Sequence, residues 1–212
     1  MTADRRATAV KMLVWSGPVV LVAILRPWTV RHIETDTTVD GRRSTVDSRV
    51  FDPARFAASA WPRLVGEANN TAVNVSDIVP APGAPPSQAR FVKGVGMVTS
   101  VDRRSRVGVM LVRLVSSSQV VAIQIGPVMR GTALRDASGF IQFSDFTNQS
   151  EYAAAANALN ESALRLVIAP VEFETLTGQV VSFVGAVGKS PMREDGAIEV
   201  VPVRLGVSVG AQ

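Results

Sequence analysis

Residues 91–115 read FVKGVGMVTSVDRRSRVGVMLVRLV, two valine-rich runs on either side of the polar cluster from Asp102 to Arg106. Branching at Cβ suits the half-buried face of a pleated sheet, and a charged cluster between two such runs marks a turn. The runs 91–101 and 107–115 are therefore expected to pair as a hairpin. Moving outward, QVVAIQIG (119–126) reads as a third strand, with a further short strand at 140–143. Asn148 and Glu151 then have the spacing of a capping box, and Tyr152, Ala155, Ala156, Leu159, Ala163, Leu166 and Val167 form one apolar helical face that should end before Pro170. Two more strands, 179–187 and 197–207, flank a polar turn containing Gly188, Pro191 and Gly196. Three strands, a helix and two strands is the order of an α+β fold built on a small five-stranded barrel of the oligonucleotide/oligosaccharide-binding (OB) type, with its helix between strands 3 and 4.

Upstream, the proline-rich run IVPAPGAPPSQ (78–88) reads as a linker. Before it, Asp52 followed by Pro53 is an N-cap with proline at the first helical position. Phe56, Ala60 and Leu64 recur at helical spacing, and Pro62 is expected to disturb the end of that helix. The run MLVWSGPVVLVAIL (12–25) is uncharged and follows Arg5, Arg6 and Lys11, the layout of a signal peptide or signal anchor; the absence of a clean small-x-small cleavage site favours an uncleaved anchor. Basic residues are nearly balanced across it, so charge alone does not orient the chain. The resulting division is an N-terminal anchor (1–30), a spacer with a small helical part and linker (31–89), and the OB-like barrel (90–212).

Composition narrows the function. The chain has no cysteine, which removes a disulfide framework, a thiolate metal site and a cysteine nucleophile. Its single histidine, His32, lies just past the apolar run, so neither a zinc cage nor a Ser-His-Asp triad is expected, and no metal or cofactor is assigned. The net charge is only +4, with much of the basic excess around the apolar run, and Arg103, Arg104 and Arg106 lack interleaved aromatics for base stacking. Nucleic acid is not the expected partner. Gly94 and Gly96 lack the third glycine and the following helix of a dinucleotide fingerprint, and read instead as a bulge.

The densest group of unusual residues is IGPVMRGTALRDASGFIQFSDFTNQ (125–149), a loop between strand 3 and the helix. In it Arg130 and Arg135 offer fork-shaped donors to a carboxylate or phosphate, and Asn148 and Gln149 offer amides near a helix start. For any one residue the structural alternative is preferred: Arg135 pairing with Asp136, Gly126 and Gly131 supplying turns, Asn148 capping. Asp136 and Asp145 are the carboxylates on which a hydrolase would have to rely.

Together FDPARFAASAWPRL, GVGMVTSVDRRSRVG, the long run from Val120 to Asn160, LTGQVVSFVGAV and IEVVPVRL resemble the bacterial domain of unknown function 2291 family, predicted periplasmic lipoproteins, over residues 28–207. The resemblance implies an anchor, a helical part and a barrel outside the cytoplasmic membrane, often encoded beside sugar-type ABC transporters, and it implies no catalytic mechanism. Its recurring motif maps to Arg106, Gly126, Gly131, Arg135, Asp136, Phe143, Asp145, Asn148 and Gln149. Two features depart from the family: the lipobox cysteine is absent, and 69–89 is shortened and proline-rich. The expected function is that of a membrane-anchored accessory or binding protein without enzymatic activity, working with transporter components or a sugar-like ligand. An extracytoplasmic hydrolase is the alternative.

Overall fold

The computed structural model describes residues 50–78 and 88–208, within one compact unit, Ser48–Gln212. The apolar run at 12–25 and the linker at 79–87 lie outside the described residues. Among those described, no helix is long and apolar enough to cross a membrane.

Helix α1 (Pro53–Thr71) begins where expected: the Asp52 carboxylate accepts the N–H groups of Ala54 and Arg55 at 3.0 and 3.1 Å, and Pro53 occupies the position whose N–H would be orphaned anyway. Pro62 does not end it. It lies inside a helix that runs nine residues further, to Thr71. Pro62 and Ala58, the residue whose carbonyl loses its partner, both face solvent, so water can satisfy that carbonyl. The opposite face, Ala57, Ala60, Trp61, Leu64 and Ala68, is buried.

After the two-residue strand β1 (Val73–Asn74), which runs parallel to the next strand, come β2 (Arg90–Asp102), β3 (Val109–Leu114) and β4 (Val120–Gln124). Short helix α2 (Ala133–Ala137) and helix α3 (Gln149–Ala163) follow, then β5 (Val180–Val187) and β6 (Ile198–Ser208). The long β2 pairs antiparallel with β3 through its second half and with β5 through its first, β3 pairs with β4, and β6 joins β5 antiparallel to β4 parallel. The result is a closed, mixed, five-stranded barrel with α3 between its third and fourth strands. Closure leaves no long open edge at the strands it joins.

Three local expectations are corrected. The bulge on β2 falls between Val98 and Ser100, not at the glycines. Gly94 and Gly96 mark where β2 changes partners: a Cβ on Gly94 would stand 2.6 Å from Phe183 Cζ, and one on Gly96 2.4 Å from the Arg113 carbonyl oxygen. Residues 140–143 form no strand. The Gln142 amide donates to the Gly139 carbonyl at 2.7 Å and its backbone N–H to Asp145 at 2.9 Å, engaging locally the groups a strand would offer a neighbour. The box on α3 is offset by one residue: Asn148 accepts the Glu151 N–H at 2.9 Å, while the Glu151 carboxylate reaches back to the N–H of Thr147 at 2.9 Å.

Helix α1 was placed with the spacer in the sequence-based division, yet it packs on α3 and shares the barrel's core, in which Leu64, Phe91, Ile123, Leu134, Leu159 and Ile198 are all buried. The Arg204 guanidinium also donates to the Asn69 side chain at 3.1 Å. Residue 89 therefore does not separate two cores. Truncating a side chain such as Leu64 at that contact should cost about 2–5 kcal/mol, which couples the helix firmly to the barrel.

Candidate functional site: a polar cleft at one end of the barrel

Strand β4 ends in Gln124, a buried amide on an otherwise apolar strand. Its oxygen accepts the backbone N–H of Arg130 at 2.8 Å and its nitrogen donates to the Arg130 carbonyl at 3.3 Å. One side chain thereby closes the loop 125–129 at both donor and acceptor, as a buried polar group must be satisfied somewhere. The loop is pinned from the other side by Gly126, whose N–H donates to the Val107 carbonyl at 2.6 Å; a Cβ there would lie 2.0 Å from that same carbonyl. Val128 donates to the Arg106 carbonyl at 3.1 Å, and Met129 is buried. With Met129 turned inward, Arg130 is presented to solvent on a fixed backbone.

Five residues on, Arg135 has the opposite environment. Its guanidinium donates to Asp136 from Nε at 2.8 Å and lies 2.7 Å away through a second nitrogen, donates to the Tyr152 carbonyl at 3.1 Å, and stacks 3.6 Å above the Tyr152 ring. Asp136 is completed by the Thr132 hydroxyl at 2.6 Å. Both guanidinium nitrogens converge on Asp136 Oδ1 and the Thr132 hydroxyl takes Oδ2, a half-dry ion pair with a cation–π contact that locks α2 onto the first turn of α3. Phe143, though exposed, sets its edge against Tyr152 at 5.4 Å, in a chain of rings that continues through Phe146 to Phe56 and Phe51.

A cleft of about 410 Å³ opens beside this framework, lined by Gln124 and Arg130–Ala133, Asp136, the turn Gly188–Pro191 after β5, and Ala186, Glu199 and Val201 of the last two strands. A second hollow of about 440 Å³, over Arg135, Gln142 and Tyr152, adjoins it; Asp136 and Lys189 line both. Among the described residues, the side chains of Arg130, Lys189 and Glu199 make no ion pair. Outside the cleft, the turn that leads into β6 is held by Asp195, which accepts the Ala197 N–H at 3.1 Å and pairs with Arg193 at 3.2 Å. That backbone hydrogen bond, aided by the arginine, draws its carboxyl below the usual aspartate range.

Of the ten residues singled out from sequence, Arg130, Gly131 and Asp136 come together in the cleft, and Arg135 borders the second hollow. Gly126 works behind the loop. Arg106 contributes its carbonyl and leaves its side chain exposed on the β2–β3 turn. Asp145 and Asn148 satisfy backbone N–H groups of their own turns, and Gln149 is exposed on the first turn of α3. Sequence reasoning missed Gln124, Lys189, Ser190 and Glu199. Gln124 left a trace, a lone amide within VVAIQIG, whereas Lys189 and Glu199 belong to a turn and strand that only barrel closure brings opposite the loop. No group of three or more acidic or histidine side chains able to hold a metal ion occurs among the described residues.

The model of a family described as predicted periplasmic lipoproteins (DUF2291) matches residues 86–206, more than half of the chain and all five barrel strands to within two residues. The chain belongs to the DUF2291 family. Membership implies a location outside the cytoplasm and in association with a membrane. The sequence contains no cysteine that could carry a lipid, so it departs from the family's description at that point. Among solved structures, an OB-fold protein from Thermotoga maritima is similar over 75% of this chain and 99% of its own, with a TM-score of 0.58 at 18% identity. That likeness shows the OB fold. The Stn1–Ten1 complex of S. pombe matches 68% of this chain and 75% of its own, with a TM-score of 0.27 at 13% identity. No curated protein matches the chain.

Proposed function

We propose that this protein is a membrane-anchored extracytoplasmic binding protein, held by its N-terminal apolar run, which presents the polar cleft to a ligand or partner and catalyses no reaction. The observation that carries this reading is the contrast between framework and cleft lining: the framework residues have their hydrogen bonds completed internally, while Arg130 of the β4–α2 segment and Lys189 of the β5–β6 turn line a concave site with no ion pair among the described residues. A rigid scaffold offering uncommitted polar groups in a cleft is the usual build of a binding site. The resemblance suggests sugar-type ABC transporter components or a sugar-like ligand as the first occupants to test. A hydrolase based on Asp136 and Asp145 is disfavoured because both carboxylates already serve the fold, one held by Arg135 and Thr132, the other accepting the Gln142 N–H.

The test places a photoreactive residue at position 188 of the full chain in its native membrane, and another at 116, beside the apolar groove of about 520 Å³ on the far part of β2. Adducts are read by mass spectrometry. Capture of a ligand or transporter component at 188 and not at 116 supports the reading, and equal or no capture at 188 removes the cleft from consideration. Protease added outside intact spheroplasts should digest the barrel; protection would contradict the assigned side of the membrane.

A further inference from the structure

The cleft's own charges narrow what it can hold. Arg130 enters from the β4–α2 loop and Lys189 from the β5–β6 turn, so two cations from separate elements line one hollow of about 410 Å³. Asp136 also lines it, but its charge is matched by Arg135 at 2.7 Å. Glu199 is the remaining carboxylate, and no nitrogen of Arg130 or Lys189 lies within 4.0 Å of it. Two like charges lining a small concave space repel each other, and low-dielectric walls strengthen the field between them. An anion placed there relieves that repulsion. A guanidinium fork suits the two oxygens of a carboxylate and an ammonium adds a point charge. Glu199 can then accept from hydroxyl or amino groups of the same ligand and the Ser190 hydroxyl can accept or donate, while Ala133, Ala186, Pro191 and Val201 supply apolar wall for its carbon skeleton.

Resting on the binding-protein reading above, we infer that the ligand is a small organic carboxylate that also carries hydroxyl or amino donors. Hydroxy acids and amino acids share this chemistry. The cleft, about 410 Å³, has room for one such molecule. Gly188 at its rim has room to spare: nothing lies within 4 Å of a Cβ built there, and its backbone is outside the left-handed region, so the position accepts a side chain without strain.

The experiment is isothermal titration of the full-length chain in detergent with two matched pairs, gluconate against glucose and L-serine against L-serinamide. The acid of at least one pair should bind saturably and its partner without the carboxylate at least tenfold more weakly. The pair that responds identifies the hydroxy or the amino class. Arg130→Gln with Lys189→Gln should weaken that binding at least tenfold, with the unfolding midpoint of the double variant unchanged. Partners without the carboxylate binding as well as the acids, acids binding unaffected by the double variant, or no binding by any of the four would each overturn the carboxylate inference. The binding-protein reading falls separately, by the absence of adducts at position 188.

Discussion

Arg130 and Arg135 sit five residues apart in the segment between β4 and α3 and have the same chemistry, yet the fold uses them oppositely. Arg135 is about 10% exposed, paired with Asp136 and stacked on Tyr152; Arg130 is exposed, with only its backbone held, by Gln124. The difference teaches that a charged loop contains both a framework and a working surface, and that the residues completed internally are the framework. Loss of a framework residue should appear in stability. Loss of a working residue should appear in binding alone.

The largest effect is expected at the ion pair. Arg135→Ala leaves Asp136 partly buried without its counter-ion and removes the contact with Tyr152, so denaturant unfolding should show a loss of about 3 kcal/mol. A loss below about 1 kcal/mol would move Arg135 from the framework to the surface. Next is the cap of α3: Asn148→Ala should cost about 1 kcal/mol in the same measurement, because the Glu151 N–H loses its acceptor.

A smaller effect depends on pH. Asp195 has its folded pKa lowered, so its contribution to stability is present above its unfolded pKa and is lost as pH falls through the lower folded value. The melting temperature of wild type should therefore exceed that of Asp195→Asn at pH 7, and the gap should close below about pH 4, the ordinary aspartate range. The gap should be modest, since the side chain is half exposed. Smallest of all, Arg130→Gln with Lys189→Gln should leave stability within about 0.5 kcal/mol of wild type.

The barrel was legible in the sequence because each strand carries its own signal: valine-rich runs of strand length, each bounded by polar or glycine punctuation. The helix was legible through Asn148 and its apolar stripe. Pro62 misled because the cost of a proline depends on whether the abandoned carbonyl faces water, which composition does not reveal. Gly94 and Gly96 looked like a bulge because the reason for them, a strand exchanging neighbours against Phe183 and the Arg113 carbonyl, is tertiary. The candidate site was half legible. The loop 125–149 announced itself by density of charge and glycine, but its opposite wall, Lys189 to Pro191 and Glu199, lies more than fifty residues beyond Arg135 and meets it only because β6 pairs parallel with β4.

The measurement that bears most directly on the division between framework and working surface is photocrosslinking from position 188 in the native membrane, repeated in the Arg130→Gln, Lys189→Gln background. Adducts that form in the wild-type background and disappear in the double variant, with the unfolding midpoint unchanged, are the expected result. Adducts that persist undiminished would show that the two uncommitted cations do not serve recognition, and would contradict the assignment of the cleft as the functional site.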